Sequence, residues 1–400
     1  MAHPFSEHAD NAPAGSGQSA SHRQSVDLLV IGAGVMGLWA ALKAGRLGLS
    51  TLIVDRARPG SGASGGLLGA LMPHIPDRWN AKKQFQFYAL CDLELEVSRL
   101  EAETGLSCGY ARCGRLIPLP KPHLRPIAER NGEDAALRWV SETRRFDWTV
   151  LDGTPDERWL AAEPSAFGVV YDQLAGRVSP RHLIAALVAA CDALACVQRV
   201  DGAEVASLMA DHVRLADGTD IAFGHCIMAS GTGSFPLLEQ LGPSLPRRLG
   251  RAVKGQAALL RAGIETTNPV LFLNGIYVVP HEEGLVAVGS TSEEEFEQPF
   301  ETDALLDKVI EKARELSPML RTAPVVERWA GLRPKAVDRD PMIGPHPEAP
   351  RVLALTGGFK VSFGLAHRLA DAVLAPFSGA VIDTPDNYWL ESHLKVAESG

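Results

Sequence analysis

Residues 26–31 read VDLLVI, an apolar run broken once by Asp27 and followed at once by glycine. A run of that length and boundary predicts a strand buried on both faces, the kind that parallel sheets use. Beyond it Leu38, Ala41, Leu42 and Leu47 recur near the helical period and Gly48 ends the pattern, so a helix is expected there. Residues 51–54 predict a second strand that closes on Asp55. Apolar positions at helical spacing predict further helices over 85–100 and 303–316, and alternation at Tyr277, Val279 and 285–288 predicts half-buried strands. Strand, helix and strand in this order predict an α/β chain with a Rossmann-like unit at its amino end.

The turn between the first strand and helix carries Gly32, Gly34 and Gly37, the G-x-G-x-x-G spacing. Gly32 permits the tight turn, Gly34 lets a pyrophosphate approach the backbone, and Gly37 lets helix and strand pack closely. The helix amino terminus faces the anion, and Asp55, about 20 residues on, accepts from ribose hydroxyls. Both NAD and FAD use this arrangement. Arg56 and the stretch GSGASGGLLGALMPH over 60–74 favour FAD, because Ser64, Gly65, Gly66 and Gly69 offer unhindered amides able to follow an extended dinucleotide toward a flat ring. Leu67, Leu68, Leu71 and Met72 within that loop predict partial burial.

Composition narrows the picture further. A length of 400 residues is too long for one undivided core and predicts two domains. Lys plus Arg number 39 against 48 Asp plus Glu, a net charge of −9, which leaves no basic face for a nucleic acid partner. No apolar run is long enough to cross a bilayer, so an integral membrane protein is not expected. Cys91, Cys108, Cys113, Cys191, Cys196 and Cys226 form no C-x-x-C pair and no metal set, and are read as reduced structural thiols in a cytoplasmic protein. Residues 1–25, rich in Ala, Gly, Ser and His, are expected to be a disordered tail.

From Val26 to about Ala375 the chain resembles the D-amino acid oxidase-like flavoproteins, the group containing glycine oxidase, sarcosine oxidase and flavin-dependent D-amino acid dehydrogenases. The resemblance rests on the glycine fingerprint with its Ser-Gly-Gly loop, then in order GRVSPRHLIAAL from Gly176, IMASGTGS from Ile227, KGQAALL from Lys254, GIYVVPH from Gly275, VGSTSEE from Val288, WAGLRPKAVDRDPMIG from Trp329 and LTGGFKVSFGLAHRLADAV from Leu355. It implies a discontinuous FAD-binding domain over 26–82, 168–245 and 330–385. A second, α+β substrate domain on an antiparallel sheet is implied over 83–167 and 246–329, with a carboxy-terminal extension over 386–400. The implied cofactor contacts are Gly32, Gly34, Val35, Met36, Gly37, Asp55, Arg56, Ser64, Gly65, Gly66, Leu67, Val205, Gly231, Gly233, Arg333, Gly357, Gly358, Phe359 and Lys360. No cysteine occurs in 330–333, where sarcosine oxidase attaches its flavin, so the FAD is expected to be non-covalent.

The resemblance also implies the chemistry. Arg333 matches the arginine that clamps the substrate carboxylate. Tyr277 matches a tyrosine whose hydroxyl meets the same carboxylate, with a buried core tyrosine as the competing account. Lys360 stands where glycine oxidase has arginine and sarcosine oxidase has lysine. It is read as a contact to a second acidic group of the substrate, as an aid to flavin charge or oxygen reaction, or as a solvated lysine. His74 is read either as lying near the flavin face or as structural. The reaction implied is hydride transfer from the C–H beside the amine of a small amino acid or N-substituted glycine, the resulting imine being hydrolysed, with dioxygen or another acceptor reoxidising the flavin. The alternatives are a D-amino acid or opine dehydrogenase subunit, an imine-forming step in thiazole biosynthesis, and a flavin-binding subunit without turnover. Homo-oligomerisation is left open.

Overall fold

The computed structural model describes residues 24–263 and 267–399. Of the tail expected over 1–25 only Gln24 and Ser25 fall among them, and both already belong to the first strand, β1 (Gln24–Ile31). The glycine turn opens α1 (Val35–Arg46), and β2 (Thr51–Asp55) follows. The loop after it ends in the two-residue β3 (Ala70–Leu71). Next come α2 (Ala81–Thr104), β4 (Arg115–Pro118), α3 (Leu124–Arg138), β5 (Trp148–Leu151), β6 (Val169–Asp172) and β7 (Gly176–Arg177). The middle of the chain forms α4 (Pro180–Asp192), β8 (Val197–Asp201), β9 (Val205–Leu208), β10 (His212–Leu215), β11 (Asp220–Met228) and α5 (Ser234–Glu239). Then β12 (Gly250–Arg261), β13 (Val270–Leu273), β14 (Ile276–Pro280), β15 (Leu285–Gly289), α6 (Ala304–Leu316) and β16 (Val325–Ala336) lead to β17 (Met342–His346), β18 (Ala349–Thr356), α7 (Ser362–Ser378) and α8 (Leu390–Glu398).

These elements make two large sheets. The first has the order β17-β18-β11-β1-β2-β8, extended from β11 by the β10 and β9 hairpin. β18, β11, β1, β2 and β8 run parallel, with Val30 beside Ile227 on one side and Ile53 on the other. α1 is buried along nearly its whole length and lies against α7 and α4, which explains why it is apolar all round but for Lys43 and Arg46 in its last turn. The second sheet has the order β16-β12-β15-β14-β13-β4-β6-β5 and is antiparallel except where β13 meets β4.

Three boundaries differ from the division drawn above. Val169–Asp172 pairs with β4 and β5 in the second sheet, although 168–245 was assigned to the FAD domain. β16 pairs with β12 along its length, so Arg333 sits on the second sheet and not in the FAD piece over 330–385. α2, placed in the substrate domain by the sequence, packs on α7 and α4 of the nucleotide layer. Strand pairing decides the first two and helix packing the third, not local pattern.

The second sheet has two unlike faces. One packs Ala258, Leu260, Val278, Val286 and Val288 against the apolar stripe of α6, whose Leu306, Val309 and Ile310 are buried. Each buried Val, Leu or Ile among them contributes about 1.5–3 kcal/mol. The opposite face is built of smaller residues, Ala257, Val279 and Ala287, and meets Leu67, Leu68 and Met72 of the glycine-rich loop. The site lies on this second face. Among the described residues no helix is long and apolar enough to cross a membrane.

Candidate active site between the two sheets

The fingerprint turn is as tight as its glycines require. Gly32 has φ +108°, and a Cβ there would lie 2.5 Å from Ala229 O. A Cβ on Gly37 would overlap Gly32 O, so no larger residue lets α1 enter against β1. Gly34, the residue that caps α1, is extended and supplies no side-chain cap; the single atom near a Cβ there would be Ser64 Oγ at 3.2 Å. Ser64 Oγ accepts from Val35 N–H at 3.0 Å, which ties the serine-glycine loop to the helix amino terminus. Asp55 accepts from Ala33 N–H (2.7 Å) and Ala57 N–H (2.8 Å), so its carboxylate braces the turn. A Cβ on Gly65 would overlap Gly60 O, and one on Gly66 would lie 3.3 Å from the Trp329 indole.

Other expected cofactor residues surround this turn. Arg56 is exposed at the end of β2. Val205 opens β9 beside it, where Ala203 N–H donates to Asp55 O. Gly231 (φ +60°) and Gly233 form a short 3-10 turn after β11, with Gly231 O held by the Thr356 hydroxyl at 3.0 Å. Gly357 (φ +74°) and Gly358 follow β18, and the Met36 methyl packs directly on Gly358. A Cβ on Gly34 would meet only the Ser64 hydroxyl and one on Gly231 nothing within 4 Å, so the backbone at both turns is unhindered, as the approach of a pyrophosphate requires.

Gly357–Lys360 is also joined to the second sheet. Gly358 bridges to Lys335, and Phe359, in the left-handed region at φ +44°, donates its N–H to Pro334 O at 3.2 Å. The joint gathers three cations around the Phe359 ring: Arg333 at 5.4 Å, Lys360 at 5.5 Å and Lys335 at 6.0 Å from its centroid. Lys335 is paired with Glu294. Arg333 meets no carboxylate among the described residues. Its Nη1 donates to Ser290 Oγ (3.2 Å), its Nη2 donates to Thr291 O (2.5 Å) and Lys254 O (3.4 Å), and its Nε has no partner. Burial holds the Arg333 and Lys360 pKa values below their usual ones; for Lys360 the Arg333 and Lys335 charges add to the effect. An arriving carboxylate would relieve both.

Tyr277 is half-buried beside Phe272, with ring centroids 4.8 Å apart. Burial raises its pKa, against the opposing pull of Arg115 and Arg333, so its hydroxyl stays a neutral donor between two cations. Arg115 is itself paired with the buried Asp172 at 2.5 Å. His74 is exposed, its backbone N–H donates to Gln86 Oε1 at 2.6 Å, and its charged neighbours are Lys83, Asp340, Lys82 and Arg115, the last shared with Tyr277. Ser290, Thr291 and Gly255, which hold Arg333, were not singled out in the sequence, although KGQ and VGST were already visible as motifs.

The family model for FAD dependent oxidoreductases (DAO) matches residues 27–372. The chain is 27% identical over 350 residues to the glycine oxidase of Pseudomonas aeruginosa, covering 85% of this chain and 91% of that protein. It is 28% identical over 379 residues to the bifunctional protein ThiO/ThiG of Synechocystis sp., covering 89% of this chain but 51% of the relative, so it spans about half of that longer protein. The crystal structure of glycine oxidase from Geobacillus kaustophilus superposes with a TM-score of 0.79 at 22% identity, over 92% of this chain and 98% of that one.

Proposed function

Because the chain belongs to the FAD dependent oxidoreductase family, with FAD as its cofactor, we propose that it oxidises the C–N bond of a small amino acid or N-substituted glycine. The observation that carries this reading is Arg333: a half-buried guanidinium with neutral partners alone and an unpaired Nε, set beside Tyr277 and Lys360. FAD, when bound, accepts the hydride from the carbon that bears the amine.

The protein's residues do the rest by orientation. Arg333 pairs with the substrate carboxylate, Tyr277 donates its hydroxyl to the same group, and Lys360 adds positive charge at the mouth. Fixed at that end, the substrate presents its amine and the adjacent C–H to the cofactor, and the imine formed is hydrolysed by water. The glycine amides at Gly34 and Gly231 and the carboxylate of Asp55 hold the dinucleotide. With dioxygen as the electron acceptor the reaction would release peroxide, in keeping with its glycine oxidase relatives. Its unpaired cysteines suit the reducing cytoplasm.

The test is anaerobic mixing of the flavin-loaded protein with glycine, sarcosine, a series of D-amino acids and L-proline while the visible flavin band is followed. Bleaching by at least one small amino acid, and peroxide formation in air, are expected. A band untouched by the whole series would overturn the reading.

A further inference from the structure

The side chain of Arg333 does not rest on an ordinary strand. It folds back over Gly255 of β12, the partner of Gly331 in the β12 and β16 ladder. A Cβ on Gly255 would lie 2.5 Å from Arg333 Nη2, 2.6 Å from Cζ and 2.9 Å from Nε. The guanidinium therefore lies flat on bare backbone.

The next residue, Gln256, is fully buried and acts from the other face of the same strand. Its Nε2 donates to Glu293 Oε1 and Asp303 Oδ1, both at 2.9 Å, and its Oε1 accepts from Asp303 N–H at 2.8 Å. Its own N–H donates to Thr291 Oγ1 at 2.9 Å, and that hydroxyl donates in turn to Glu293. Lys254 completes the knot, with Nζ 3.0 Å from Asp303 Oδ2 and 3.5 Å from Glu293 Oε2, and its backbone exchanges hydrogen bonds with that of Glu293. The segment so anchored, residues 290–293, is the one whose Ser290 Oγ and Thr291 O receive the Arg333 donors.

We propose that Gly255 and Gln256 are positioning residues for Arg333. Gly255 leaves the plane in which the guanidinium lies, and Gln256, through Glu293 and its backbone bond to Thr291 Oγ1, fixes the segment whose Ser290 and Thr291 acceptors orient it, so that the remaining N–H of Nη1 is left for a carboxylate. The inference rests on the carboxylate-clamp reading of Arg333 and deepens it. A knot serving stability alone would leave carboxylate affinity untouched, whereas a positioning knot controls it without touching the cofactor.

Acetate, a carboxylate with no amine to oxidise, is the probe, titrated into the FAD-loaded protein while the visible flavin band is monitored. Gly255→Ala and Gln256→Met should each weaken acetate binding at least tenfold and raise the KM of the best amino acid substrate similarly, with FAD content unchanged and kcat within about threefold. In an Arg333→Ala background neither change should weaken acetate further. If Arg333→Ala leaves acetate affinity unaltered, the clamp reading itself fails. If Arg333→Ala abolishes binding while Gly255→Ala and Gln256→Met stay within twofold of the parent, only the positioning assignment fails. Should Gln256→Met not fold, Gly255→Ala decides alone by the same measure.

Discussion

The parallel sheet and the antiparallel sheet contribute to one site by different means. The first offers backbone: the turn from Gly32 to Gly37 works through open amides, positive φ and the absence of Cβ atoms, all inside one short stretch. The second offers side chains, and each depends on partners far along the chain. Arg333 is held by Lys254 and Thr291, 79 and 42 residues away. Damage to the first sheet should therefore cost the cofactor, and the fold as well where a side chain would collide with backbone, while damage to the second should spare both and remove substrate affinity.

Four experiments would break or sharpen that contrast. The largest effect is expected from Gly37→Val, whose side chain would occupy the position of Gly32 O. It should lose essentially all bound FAD and about 3 kcal/mol or more of stability, read from the visible spectrum and from thermal unfolding. Gly34→Ala refines the point, since its methyl meets nothing but the movable Ser64 hydroxyl; FAD affinity should fall with little change in Tm. Retention of full FAD content by Gly37→Val would end the claim that the first sheet works through its backbone.

Arg333→Ala should keep its flavin and its Tm but lower kcat/KM by about 100-fold, roughly 3 kcal/mol. Steady-state kinetics decide this, and a coincident loss of FAD would blur the division between the sheets.

The third experiment is a pH titration of stability, with one buried histidine on each side. His281, at the end of β14, is pushed down to about 4 chiefly by burial, and His367 in α7 to about 3 by burial, with Lys43 and Arg368 adding to it. The unfolded chain binds those protons near pH 6.5. Stability is thus complete above that pH and declines as it drops toward the folded values, by up to about 1.4 kcal/mol per pH unit per histidine. Unfolding midpoints at pH 7, 6 and 5 should fall in that order, and His367→Phe should flatten the slope. An unchanged slope would mean that His367 takes up its proton in the fold at the same pH as in the unfolded chain.

Tyr277→Phe is expected to be the mildest, raising KM by up to tenfold, about 1 kcal/mol for one lost hydrogen bond, with kcat nearly kept. No change in KM would leave Tyr277 as a core residue beside Phe272.

The same contrast explains what could be read in advance. β1, α1, β2 and Asp55 were legible because the strand run, the glycine spacing and the helical period are contiguous, so each supports the next. Arg333 and Tyr277 were reachable through family resemblance, since GLRP and GIYVVP have no chemistry of their own until strands align them. Ser290, Thr291 and Gly255 were not reachable: their role exists only once β12 lies between β15 and β16. Val169–Asp172 was misplaced for a related reason, because an apolar strand does not announce which sheet will pair with it.

The order of strands in the parallel sheet bears on how the molecule comes into being. β1, made first, has β11 as one neighbour, and β11 in turn needs β18, which closes only when residues 349–356 have been synthesised. During translation the glycine turn has β2 on one side but waits for β11 and β18 on the other, and such distant pairings fold slowly and expose edges meanwhile. Cofactor capture thus belongs to the last stage of maturation, and overproduction that outruns it should yield aggregates rather than soluble apoprotein.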